Sequence, residues 1–152
     1  MRKAVFVFIA FALLIITSCK KSNPASYGTY TFKSVTYDLT HCQLVASNDL
    51  SGWNTNSAGP NINILFDSII PTIDCIDTVI EFVQNVSSHN MVCVQIIPNN
   101  YSIYNSTGFG SNQTLKVNVA NGKVAISGSN IKMANQNANG DSGVVSFNIN
   151  QQ

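Results

Sequence analysis

The stretch Leu115-Lys-Val-Asn-Val-Ala-Asn-Gly-Lys-Val-Ala-Ile-Ser127 alternates apolar and polar residues on both sides of Asn121-Gly122. Alternation with a period of two marks a half-buried strand. Asn-Gly is the strongest short hairpin signal, because a type I′ turn needs positive φ at both central residues. With that turn, Ala120 opposes Lys123, Val119 opposes Val124 and Val117 opposes Ile126. Leu115, Val117, Val119, Val124 and Ile126 then share one face, and Lys116, Asn118, Lys123 and Ser127 share the other. Turn chemistry and apolar pattern specify the same register, so this hairpin anchors the reading of the rest.

Working outward, no segment after residue 26 sustains a 3.6-residue apolar pattern. Tyr30 to Tyr37 and Leu39 to Ala46 read as one long bent strand or as a hairpin. Asn61 to Phe66 follows Pro60. Thr78 to Gln84 and Met91 to Ile97 flank Asn85–Asn90 and read as a second hairpin. Tyr101 to Tyr104 is short, and Ile131 to Ala134 reads as an edge. Val144 to Asn150 alternates, with Val145, Phe147 and Ile149 inward. The long irregular pieces are Asn48–Pro60, Asn105–Asn112 and Asn135–Gly143. About eight to ten short strands joined by polar loops predict an all-β fold. An antiparallel β-sandwich of immunoglobulin-like build is the leading reading, with a lipocalin-like closed barrel as the alternative.

The N-terminus obeys different rules. Arg2 and Lys3 precede an uninterrupted apolar run from Ala4 to Ile16. As a helix that run rises only about 20 Å, too short for a hydrocarbon core of roughly 30 Å, so it reads as a secretory signal. It ends on Ile16-Thr17-Ser18-Cys19. These four residues resemble a bacterial lipobox. The resemblance implies diacylglyceryl transfer to the Cys19 sulfur, cleavage between Ser18 and Cys19, and a palmitate-type acylation of the new N-terminus. Two or three acyl chains hold a protein stably at a bilayer. The run Ser-Cys-Lys-Lys and the Asn/Ser/Thr-rich body also resemble small envelope lipoproteins of the Bacteroidota. Lys20 stands where enteric lipoproteins retained at the inner membrane carry Asp, which by analogy implies the outer membrane. The acidic residues of surface-export signals are missing after Cys19, which favours the periplasmic face over the cell surface. The expected organisation is a signal peptide at 1–18, a lipidated Cys and polar tether at 19–26, and one β domain at 27–152.

Composition narrows the function. Beyond residue 18 the chain holds six lysines (20, 21, 33, 116, 123, 132) against seven acids, a balance near −1. No basic patch supports nucleic-acid binding. The surface is instead built from Asn, Ser, Thr and Gln. Cys42, Cys75 and Cys93 remain once Cys19 is lipidated; in an exported protein one disulfide is open to them, with three pairings. No Cys-x-x-Cys spacing implies zinc. His41 adjoins Cys42, but neighbouring side chains on a strand point to opposite faces, so the cysteines read as structural.

Candidate sites are few. Trp53, the single tryptophan, lies in a polar loop; Tyr101, Tyr104 and Phe109 lie in a second Asn-rich stretch. Aromatic faces beside amides suit sugars, since the ring stacks on C–H groups while amides meet hydroxyls. The competing reading has these rings cap the open ends of a sandwich. Asp67, Asp74, Asp77 and Glu81 offer oxygen ligands for calcium, but apolar residues interrupt them and no Asp-x-Asp-x-Asp-Gly loop occurs; no metal or cofactor is expected. Asp67-Ser68-Ile69 and Asp77-Thr78-Val79 resemble the O-glycosylation motif of the Bacteroidota. The Asn-x-Ser/Thr triplets at Asn85, Asn100, Asn105 and Asn112 are expected by chance in an Asn-rich chain. With His41 and His89 the only histidines, and no nucleophile, zincin or phosphate-loop motif, the chain does not read as an enzyme. The expectation is a lipid-anchored, non-catalytic structural or interaction module with an envelope protein as partner. The alternatives are a glycan-binding surface lipoprotein and a carrier of small apolar ligands.

Overall fold

The hairpin at Asn121-Gly122 forms in the expected register. Val119 pairs Val124 and Val117 pairs Ile126. Asn121 and Gly122 take φ of 53° and 72°, the left-handed values a type I′ turn requires. The computed structural model describes residues 26–54, 59–79, 91–99, 101–107, 113–138 and 140–152. The expectations for the signal, Cys19, Glu81, His89, Phe109, Asn85, Asn100 and Asn112 fall outside these residues.

Every regular element among the described residues is a strand. In chain order they are β1 (Gly28–Phe32), β2 (Val35–Leu39), β3 (His41–Ala46), β4 (Asp49–Trp53), β5 (Asn61–Phe66), β6 (Cys75–Val79), β7 (Met91–Asn99), β8 (Ser102–Ser106), β9 (Thr114–Ala120), β10 (Lys123–Asn135) and β11 (Ser142–Asn150). They form one sheet in the order β2-β1-β11-β10-β9-β6-β7-β5-β4-β3, with β8 bridging β10 and β7. All eleven strands send at least one side chain into the same buried cluster, from Tyr30 and Phe32 on β1 to Ile149 on β11. A flat sheet cannot do this, so the sheet folds over itself in sandwich fashion around one core. The ladder ends at β2 and β3 and does not close as a lipocalin-like barrel would. Those two edge strands are consecutive, and Thr40 alone turns the chain from one to the other. The C-terminal residues brace this corner: Gln151 N donates to Val124 O at 2.9 Å and Gln152 N to Cys42 O at 2.7 Å.

Four expectations are corrected. The Tyr30–Tyr37 segment is itself a hairpin, β1 with β2, turning at Lys33 and Ser34 with φ of 49° and 65°. The stretch read as loop from Asn48 to Pro60 contains β4, whose inward positions are Leu50 and Gly52. β6 and β7 are not a hairpin: Thr78 pairs Met91 and Val79 pairs Val92 in parallel. A parallel pair needs a crossover of roughly a dozen residues, and the chain between Val79 and Met91 has that length. Ile131–Ala134 is no edge but the second half of β10, flanked by β11 and β8 beyond a bulge after Gly128. Val145, Phe147 and Ile149 are buried as expected.

Candidate functional site

Two surfaces stand out, and the β3–β4–β5–β7 half of the sheet positions both. Leu50, Ile62, Ile64, Val94 and Ile96 turn into the core from these strands. The alternate residues must therefore face outward. Register places Ser51, Asn63, Gln95 and Asn105 side by side across β4, β5, β7 and β8. They hydrogen-bond in one direction. The Ser51 hydroxyl donates to Asn63 Oδ1 at 2.9 Å, Asn63 Nδ2 to Gln95 Oε1 at 3.1 Å, and Gln95 Nε2 to Asn105 Oδ1 at 3.0 Å. Asp49 stands at the head of this row, its carboxyl pushed up by burial against the opposing effect of the Ser51 hydroxyl.

Two residues further along each strand, on the same face, His41, Trp53, Asn61 and Ile97 form a second row. The imidazole and indole stack with centroids 5.3 Å apart and planes within 5°. His41 Nδ1 also lies 3.1 Å from Thr40 Oγ1. Asn61 Oδ1 is buried without a hydrogen-bond partner. At the end of β7, Asn99 Oδ1 accepts from the backbone N–H groups of Tyr101 and Ser102, both at 3.0 Å. That turn holds Tyr101 outward, 88% exposed.

Trp53 and Tyr101, nominated from sequence, thus lie toward the same end of β4 and β7, with β5 between the two strands. Tyr104 does not join them. It is buried, tilted against Phe32 with centroids 4.5 Å apart, and donates its hydroxyl to Asp141 Oδ2 at 2.6 Å. Lys33 pairs with Asp141 and with the Tyr104 oxygen, and Asn135 Nδ2 donates to the same carboxylate at 3.1 Å. Lys33, then Tyr104 and Asn135, hold the Asp141 carboxyl down to about 2. This cluster clamps the β1–β2 turn to the β10–β11 connection, and alternation along β8 gave no sign of it.

The second surface is the segment after β5. Phe66 N donates to Asn48 O and Ile70 N to Ser47 O, which ties the segment to the β3–β4 turn. It forms an open groove of about 430 Å³ lined by Phe66, Ile70, Pro71, Cys75, Asp67 and Asp77 among others. Ile69, Ile73 and Ile76 stand 61%, 73% and 68% exposed. Ser68 is exposed there, and Thr78 is exposed within β6. Asp77 is buried and its carboxyl is raised, chiefly by desolvation, with a Cys75 hydrogen bond acting against and Asp67 adding to the shift. Asp74 accepts from Val119 N at 2.6 Å. Among the described residues no group of three His, Cys, Asp or Glu side chains is placed to hold a metal ion.

The cysteines are not joined to one another. Cys42 lies in the core, Cys93 is buried on the other face of β7, and Cys75 is half-buried. Burial pushes the Cys42 thiol up to about 12 and, with Asp77 and Asp74 beside it, the Cys75 thiol up to about 11. His41 faces away from Cys42, outward against Trp53. No family model, curated protein or solved structure matches the chain.

Proposed function

We propose that the protein is a lipid-anchored, non-catalytic interaction module of the bacterial envelope, held at the periplasmic face of the outer membrane through Cys19. The anchor rests on the lipobox-like sequence Ile16-Thr17-Ser18-Cys19 after a short apolar run. The non-catalytic reading is supported by thiols raised well above the neutral range at Cys42 and Cys75 and by a histidine engaged in a ring stack. An apolar-ligand carrier would use an enclosed cavity, and the groove beside Asp67 and Asp77 opens to solvent instead.

The observation that carries the interaction reading is the exposed isoleucine segment. Three large aliphatic side chains in water mark a contact surface rather than a catalytic one. The chain comes in from the tether beside the opposite end of the β3–β4 hairpin, where Tyr27 N donates to Leu39 O and Thr40 N to Trp53 O. The six residues of β3 separate the two ends by about 20 Å. Ile69, beside the Ile70 tie to the β3–β4 turn, therefore stands clear of the attachment corner, and the exposed segment can meet a second envelope protein of apolar surface. A photo-crosslinking amino acid at Ile73, compared with one at Lys123 in intact cells, tests this. The expected result is a discrete protein adduct from position 73 and none from 123. Equal adducts from both, or none from 73, would sink the reading.

A further inference from the structure

We infer that the outer face of β4, β5, β7 and β8 is a binding site for a neutral oligosaccharide, with Trp53 and Tyr101 as its aromatic ends. This goes beyond the envelope-contact reading. It uses a different surface from the isoleucine segment and does not depend on the anchor.

A primary amide offers two N–H donors and two acceptor lone pairs. In the row, Asn63 and Gln95 each use one donor and one acceptor on their neighbours. One N–H and one lone pair remain on each, and both groups are only half-buried. The remaining donors and acceptors recur at the strand spacing, about 4.8 Å, along a line perpendicular to the strands. Because the row is hydrogen-bonded to itself, its amides are fixed before a ligand arrives, and little side-chain entropy is lost on binding.

Charge selects the class of ligand. The four residues of the row are uncharged, and the nearest ionisable group along it is Asp49. An anionic polymer would meet a carboxylate and no cation. A chain of hydroxyls that both donate and accept matches the row in polarity and in spacing. The aromatic groups supply the apolar half of sugar recognition. His41 covers one face of the Trp53 indole, which leaves the other turned toward β5 and Asn61. Tyr101 is held clear of the sheet by the Asn99 turn. A sugar ring presents C–H groups on one side and hydroxyls at its rim, so it can lie against a ring while bonding the amides.

Trp53 is the chain's only tryptophan, so its emission reports this surface alone. The full-length protein in detergent is titrated with neutral hexasaccharides of glucose and of mannose, with hexagalacturonate as the acidic control. A saturable change in Trp53 emission with at least one neutral sugar, and none with the acidic one, is expected. Gln95→Ala should weaken that binding about ten-fold, as loss of one hydrogen bond would. Tyr101→Ala, at an exposed turn, should weaken it several-fold without moving the thermal midpoint. No response to any neutral sugar, an equal response to hexagalacturonate, or wild-type affinity in both variants would overturn the inference.

Discussion

Asn121 and Asp141 show how differently single residues can be read. Asn121 announces its conformation: it is one of the few residues that tolerate positive φ, and Gly122 follows it. Lys33 and Ser34 adopt the same kind of turn without any such signal. What holds them is remote in sequence, since Lys33 reaches Asp141 and Tyr104 across the fold. The Asp141 carboxyl is lowered in the folded state from 3.8 to about 2, with Lys33 the first cause. A lowered carboxyl stabilises the fold above its unfolded value and stops doing so as pH falls through its folded value. The thermal midpoint should therefore drop as pH is taken from about 4 to about 2. Asp141→Asn should show a smaller drop over that window, measured by circular dichroism melts side by side. Equal drops would remove Asp141 from the account. Tyr104 belongs to the same lesson. Its ring was a reasonable sugar platform by residue type, and only the packing of Phe32 on β1 makes it core.

At the scale of elements, legibility followed the apolar pattern. β5, β9 and β11 alternate apart from Leu65 and Val144, and their burial largely follows that alternation. β4 was hidden because its second inward position is Gly52, which carries no side chain to complete a pattern. That glycine is required by close approach: a Cβ there would lie 2.8 Å from Leu39 Cδ1 and 3.3 Å from Ile62 Cγ2. Leu39 is the fully buried last residue of β2, at the corner where the sheet folds over. Gly52→Ala should cost about 1–3 kcal/mol through overpacking, read as a lower midpoint in chemical denaturation. An unchanged midpoint would mean that Leu39 can move aside and that the corner is loosely packed. The parallel β6–β7 pairing was beyond sequence reasoning for another reason. Alternation fixes which face is buried, not which neighbour a strand takes, and β6 is set by β9 on its other side.

For the whole molecule, sequence reasoning reached the fold class but not how the sheet folds over. One eleven-stranded sheet whose two edge strands meet at Thr40 depends on contacts between residues far apart in the chain, such as Cys42 with Gln152. The candidate surfaces divide the same way. Trp53 and Tyr101 were nominated by type, whereas the Ser51–Asn63–Gln95–Asn105 row exists only because three separate strand registers align. The isoleucine segment was visible only as apolar residues among acids. Its exposure, and its place at the far end of the hairpin from the incoming tether, come from the fold. All of this matters to an envelope protein only if the chain is attached as its N-terminus implies. Attachment is tested by labelling cells with radioactive palmitate and comparing the wild type with Cys19→Ser. Label is expected in the wild type, and in the variant an unlabelled, uncleaved precursor. Label retained by the variant, or absent from the wild type, would contradict attachment through Cys19.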